Sequence, residues 1–134
     1  MGLYRLLEHT ADIGVELEAD SLAELLRQAI LSFHDLVDFE PDGPLAGREH
    51  QISADTVEEL LVNCYNELVF LLEQRLVAVD ARILACSETE LAVELLCSTL
   101  GPEQGLREIK AATWHQLEVT HTTEGWRARV YLDL

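Results

Sequence analysis

Apolar and polar residues along this chain alternate with two different periods. Ile13, Val15 and Leu17 take turns with Gly14, Glu16 and Glu18, the period-two signature of a strand with one buried face. A short strand over 3–7 precedes it, across the polar stretch Glu8-His9-Thr10-Ala11-Asp12. After Asp20 the period lengthens. Leu22, Leu25, Leu26, Ala29, Ile30, Phe33, Leu36 and Val37 recur at helical spacing and leave Glu24, Arg27, Gln28 and Asp35 on the wet side, which predicts an amphipathic helix. Ser21 and Glu24 have the capping-box spacing, in which each side chain satisfies an otherwise orphan backbone N–H. Pro41-Asp42-Gly43-Pro44 then reads as a loop.

A strand over 48–52 leads to a second helical stripe of Val57, Leu60, Leu61, Cys64, Leu68, Leu71 and Leu72, capped by Ser53 or Asp55 and ending near Arg75. Its additional apolar positions Val62, Tyr65, Val69 and Phe70 predict that it is the more central helix. The rest is mainly β. Runs over 77–86 and 91–100 flank Ser87-Glu88-Thr89-Glu90, and runs over 111–120 and 126–132 flank Thr122-Thr123-Glu124-Gly125, with a loop over 101–105 between the pairs. On the last run Arg127 and Arg129 share one face, and Ala128, Val130 and Leu132 the other. The order β-β-α-β-α-β-β-β-β predicts an α+β fold: one domain over 1–134, an antiparallel or mixed sheet with two main amphipathic helices packed on it.

Composition supports a self-sufficient core. The 134 residues are 49% apolar and 25% charged, a globular mixture at a size that needs neither disulfide nor zinc to fold. Charge changes the picture more. Nine Lys and Arg against 25 Asp and Glu give 9 − 25 = −16, a surface that repels phosphate backbones. Direct non-specific RNA binding is therefore disfavoured, and a basic protein partner or a bound cation fits better, unless the acidity serves solubility alone. Cys64, Cys86 and Cys97 form no C-x-x-C pair and read as reduced thiols of a cytoplasmic protein. No leader-like or membrane-spanning apolar run occurs.

Candidate chemistry is sparse. There is no P-loop, G-x-G-x-x-G, G-x-S-x-G or H-E-x-x-H, and His9, His34, His50, His115 and His121 lack zinc-ligand spacing. Apolar neighbours around each cysteine argue against an activated thiolate. The chain ends carry more. If the first and last strands lie side by side, Asp12, Asp133 and the α-carboxylate of Leu134 meet at one edge, a self-repelling group of oxygens suited to a hard divalent cation. The plainer alternative is an Asx turn at Asp12 and a solvated Asp133. Lys110 is the chain's single lysine. It is either the one compact ammonium available for a specific task or a surface partner of an acid such as Glu108.

Together these segments resemble the archease family. Glu8-His9-Thr10-Ala11-Asp12-Ile13-Gly14-Val15 is similar to its opening E-H-T-A-D-I-G signature. Ile109-Lys110-Ala111-Ala112-Thr113-Trp114-His115-Gln116-Leu117-Glu118-Val119 resembles its V-K-A-[IV]-T-[YW]-H-x-[LM]-x-[VI] segment. The ending Trp126-x-Ala128-x-Val130-x-x-Asp133-Leu134 resembles its closing W-x-A-x-[VF]-x-x-D-[IL], and 55–72 is similar to its central helix. The resemblance implies a calcium-binding accessory of the RtcB-type RNA ligase. That ligase joins a 2′,3′-cyclic phosphate or 3′-phosphate end to a 5′-hydroxyl end in tRNA splicing and RNA repair. The accessory promotes ligase guanylylation and multiple turnover and is not itself an enzyme. The same resemblance implies Asp12, Asp133 and Leu134 as Ca²⁺ ligands and Lys110 as the activating lysine. One stretch departs from the pattern: residues 101–107 lack the Lys-His pair that the family carries before its lysine motif. Two other function classes remain, a stand-alone metal-dependent hydrolase using the same carboxylates and a chaperone-like module acting by surface contacts.

Overall fold

Seven strands and two helices follow one another in the predicted order in the computed structural model, which describes residues 1–8, 12–41, 43–101 and 106–134. The strands are β1 (Gly2–Glu8), β2 (Asp12–Ala19), β3 (Ala46–Ser53), β4 (Leu76–Cys86), β5 (Glu90–Thr99), β6 (Ala111–Thr122) and β7 (Gly125–Asp133). The helices are α1 (Leu22–Leu36) and α2 (Val57–Glu73). All pairings are antiparallel, and the strands divide into two sheets, β1-β2-β7-β6 and β3-β5-β4. The result is an α+β fold of one domain. Among the described residues no helix is long and apolar enough to cross a membrane.

The helix starts follow from local chemistry. Ser21 Oγ accepts the Glu24 N–H at 3.1 Å and opens α1 as its spacing predicts. For α2 the cap is neither Ser53 nor Asp55 but Thr56, whose Oγ1 accepts the Glu59 N–H at 3.2 Å. Ser53 still belongs to β3, and its carbonyl accepts from the Asn63 side chain. Asp55 lies outside the cap, its N–H donating to the Glu59 carboxylate. Three hydroxyl or carboxyl residues within four positions compete here. The winner is Thr56, the residue with extended backbone directly before the first helical residue, Val57.

Both helices contact strands of both sheets. The helix α1 lies against β1, β2, β7 and β4 and buries Leu25, Leu26, Ala29, Ile30, Phe33 and Leu36 almost completely. The helix α2 lies against β3, β4 and β6, and leaves Phe70 half exposed. It is thus α1 that is the more central helix, contrary to the expectation from apolar count. Of the extra apolar residues of α2, Val62, Tyr65 and Val69 are buried and Phe70 alone is exposed, but α1 packs on four strands and α2 on three. The helices touch through one buried polar contact, Ser32 and Tyr65 hydroxyls 2.8 Å apart, with Ser32 also donating to the Ala29 carbonyl at 2.6 Å. Buried hydroxyls without such partners would be costly.

Alternation in β2 and β7 sets the faces of the larger sheet. Ile13, Val15, Leu17, Ala128, Val130 and Leu132 face the core and are buried, as their period-two pattern predicts. Glu16, Glu18, Arg127 and Arg129 face outwards. The β2–β7 register sets Glu16 opposite Arg129 and Glu18 opposite Arg127.

Candidate metal centre

The sheet order brings distant parts of the chain together. It is β2, not β1, that lies beside β7, so the meeting point is the end of the two central strands rather than a sheet edge. Asp12 opens β2, Asp133 closes β7, and the two are register partners. Directly opposed residues of an antiparallel pair project to the same face, with Cβ atoms about 4.5–5.5 Å apart. The two carboxylates therefore face outwards together. The next strand continues the row, since Ala111 opposes Asp133 and the preceding Lys110 N–H donates to the Asp133 carbonyl at 2.9 Å. Leu134 follows directly, half-buried against the core. All four residues singled out in the sequence thus fall within one neighbourhood.

The outer face explains why this row differs from those below it. Arg5 lies 2.8 Å from Glu16, Arg129 lies 4.0 Å from Glu16 on its other side, and Arg127 lies 3.6 Å from Glu18. The Glu18 and Glu16 rows thus pair acid with base, the next row sets Gly14 opposite Tyr131, and the last sets acid opposite acid. Among the described residues neither the Asp12 nor the Asp133 carboxylate has an ion pair or hydrogen bond, and Lys110, which is exposed, forms none with Glu108. Opposed like charges repel. Two carboxylates with main-chain or α-carboxylate oxygens beside them form the all-oxygen donor set that a hard divalent cation takes at about 2.3–2.6 Å. Among the described residues no three His, Cys, Asp or Glu side chains gather into a metal-binding group. A cation here would therefore draw on the pair, on Leu134 and on water.

Three supporting features carry no local sequence signal of their role. Gly14 faces outwards two residues after Asp12, opposite Tyr131, and a Cβ placed on it would come within 2.7 Å of the Tyr131 ring. The glycine of the opening motif thus makes room for an aromatic ring adjacent to the carboxylate row. Gly14→Val is expected to cost about 1–3 kcal/mol through this overpacking, measurable by chemical denaturation. Asn66, on the exposed side of α2, accepts the Ala112 N–H at 2.9 Å and fixes the start of β6. Arg107, in the stretch that departs from the family pattern, lies 2.8 Å from Glu8; residues 102–105 of that stretch, like His9, Thr10 and Ala11, lie outside the described residues.

The run predicted as a plain strand over 111–120 is interrupted. Thr113 pairs with Tyr131 and Glu118 with Arg129, so residues 114–117 face Val130 alone. This wide bulge contains Gln116 at φ 54° and holds Trp114 57% exposed. A bulge re-aims side chains without ending a sheet, and no alternation pattern foretells it.

The thiols are chemically quiet. Burial pushes the Cys64 thiol up to about 12 and raises Cys86 and Cys97 as well. All three are thiols rather than thiolates at neutral pH. Tyr4 is likewise raised to about 12, first by burial and then by the Asp35 carboxylate that accepts its hydroxyl proton.

Fold and site together define a small acidic α+β protein with two helix-bridged antiparallel sheets, its candidate ligands drawn from opposite ends of the chain. Known proteins of this kind share the whole chain. The model of the archease protein family (MTH1598/TM1083) matches residues 4–134. Protein archease of Methanosarcina barkeri is 31% identical over 139 residues, covering 98% of this chain and 95% of that protein. The solution structure of protein 1598 of Methanobacterium thermoautotrophicum superposes with a TM-score of 0.70 at 23% identity, covering 98% of each chain. The crystal structure of a Thermotoga maritima protein, described as an archease and possible chaperone, gives 0.67 at 22% identity over 96% of this chain and 94% of that one. The chain belongs to the archease family.

Proposed function

We propose that this protein is a calcium-binding accessory of an RtcB-type RNA ligase, acting in the cytoplasm and touching RNA only indirectly. The observation that carries the reading is the register pairing of Asp12 with Asp133, with Lys110 hydrogen-bonded through its backbone to Asp133. Asp12, Asp133 and the Leu134 carboxylate would hold one Ca²⁺. Bound there, the cation supplies positive charge to an outer row that otherwise carries two unbalanced carboxylates. Lys110 adds the chain's one ammonium beside it, a point charge suited to phosphate oxygens of a nucleotide in the ligase's cleft. The chain's net charge of −16 favours a cleft built to accept a polyanion. The protein is then an activator, promoting guanylylation and multiple turnover of the ligase.

The decisive assay is multiple-turnover ligation of RNA with 2′,3′-cyclic phosphate and 5′-hydroxyl ends by an RtcB-type ligase. Wild-type protein should convert a ligase that stalls after about one round into one that turns over repeatedly. The triple variant Asp12→Ala, Asp133→Ala, Lys110→Ala should not. Equal stimulation by the triple variant would sink the proposal. A module acting through surface contacts alone is the second reading, favoured by the exposed Trp114 on the β6 bulge. It requires that stimulation survive deletion of Asp133 and Leu134.

A further inference from the structure

The segment that delivers Lys110 has no regular secondary structure of its own. Residues 106–110 run as irregular chain between β5 and β6, so their placement depends on individual contacts. Two of these come from Arg107. Its N–H donates to the Val37 carbonyl at 3.1 Å, which fixes the backbone on the end of α1. Its guanidinium lies 2.8 Å from the Glu8 carboxylate and is mostly buried, its side chain 29% exposed. Glu8 is the last residue of β1 and the register partner of Ile13, the neighbour of Asp12. Arg107 stands three residues before Lys110. The ion pair therefore joins the strand pair bearing Asp12 to the segment bearing Lys110.

We propose that the Glu8–Arg107 pair is a positioning clamp that sets Lys110 and the Asp133 carbonyl at their separation and so tunes cation affinity at Asp12 and Asp133. The second part rests on the reading that these carboxylates hold Ca²⁺. The first part does not. Neither residue is placed on the cation: Glu8 shares the face of its register partner Ile13 rather than that of the carboxylate row, and Arg107 is a base that would repel a cation. That repulsion provides a sign by which positioning can be told from simple charge.

The test is charge reversal of the full-length protein, Glu8→Arg and Arg107→Glu, singly and together, with two readouts. In calorimetric Ca²⁺ titration a clamp predicts that each single reversal weakens binding about two- to five-fold, the scale of one surface ion pair, and that the double reversal restores it. Through-space charge alone predicts that Glu8→Arg weakens binding while Arg107→Glu tightens it. Tighter or unchanged binding by Arg107→Glu, or no recovery in the double variant, overturns the effect on affinity. The second readout needs no metal. Hydrogen exchange of the Lys110 amide, which donates to Asp133, should quicken about two- to five-fold in each single variant and recover in the double. If the wild type binds no Ca²⁺, or binds it unchanged after Asp12→Ala, the calcium reading fails, and the amide exchange still decides whether the clamp exists. Unchanged exchange in both single variants, or unrecovered exchange in the double, rules it out.

Discussion

Replacing Asp12 or Asp133 by alanine is expected to weaken Ca²⁺ binding by at least about 100-fold, beyond the 10–100-fold typical of residues that only orient a ligand. The same substitution should leave the protein in chelator as stable as the wild type, or more stable by a few tenths of a kcal/mol. The two carboxylates are register partners with no protein cation beside them among the described residues, so removing one relieves a repulsion. Stability then separates the variants in opposite directions. Saturating Ca²⁺ should raise the wild-type melting temperature by linkage, with a gain of about 2.7 kcal/mol at a hundredfold excess over Kd, and should not move that of either variant. Calorimetric titration together with melts in Ca²⁺ and in chelator checks both halves. A variant that melts lower in chelator and still binds Ca²⁺ would assign the pair a structural role instead.

Phe33→Ala is expected to destabilise the protein by roughly 3–5 kcal/mol. Phe33 is fully buried on α1, which like α2 contacts both sheets and packs on four strands. The void would therefore open where the two layers are joined and where neither can collapse without shifting the other. For a domain of this length the loss corresponds to a fall in melting temperature of about 10–15 °C. Scanning calorimetry in chelator measures it free of any metal contribution. Loss of activity in this variant would follow from unfolding. Restoration of activity on cooling would separate it from the Asp12 and Asp133 variants, whose defect persists at all temperatures.

The periodic part of the fold was open to reading from the chain alone. Ile13, Val15 and Leu17 announced β2, the Leu22-to-Leu36 stripe announced α1, and the order of all nine elements followed. These signals are local, because strand and helix periods are written within a few residues of one another. The division into two sheets was not, since which strands pair is decided by packing around α1 rather than by any strand's own sequence. The cap at Thr56 was missed because Ser53 and Asp55 carry equivalent chemistry, and only the end of β3 decides among them. At the candidate site, residue types and motif order singled out Asp12, Asp133, Leu134 and Lys110. Pairing across β2 and β7 supplied the geometry. Arg107, Asn66 and the 114–117 bulge act through single long-range contacts, which leave no periodic trace.

The placement of β7 between β2 and β6 has a consequence for how the protein is made. Asp12 leaves the ribosome well before its opposing residue Asp133 is synthesised. Until β7 inserts, the larger sheet lacks one of its two central strands, and β1-β2 and β6 have nothing to join them. Such long-range closure is slow compared with helix formation. The carboxylate row therefore comes into being only once β7 has been made, and a copy lacking β7 presents Asp12 without its counterpart. Recognition through this row would pass over copies without β7, so the same geometry that gathers the two carboxylates also reports that β7 is in place.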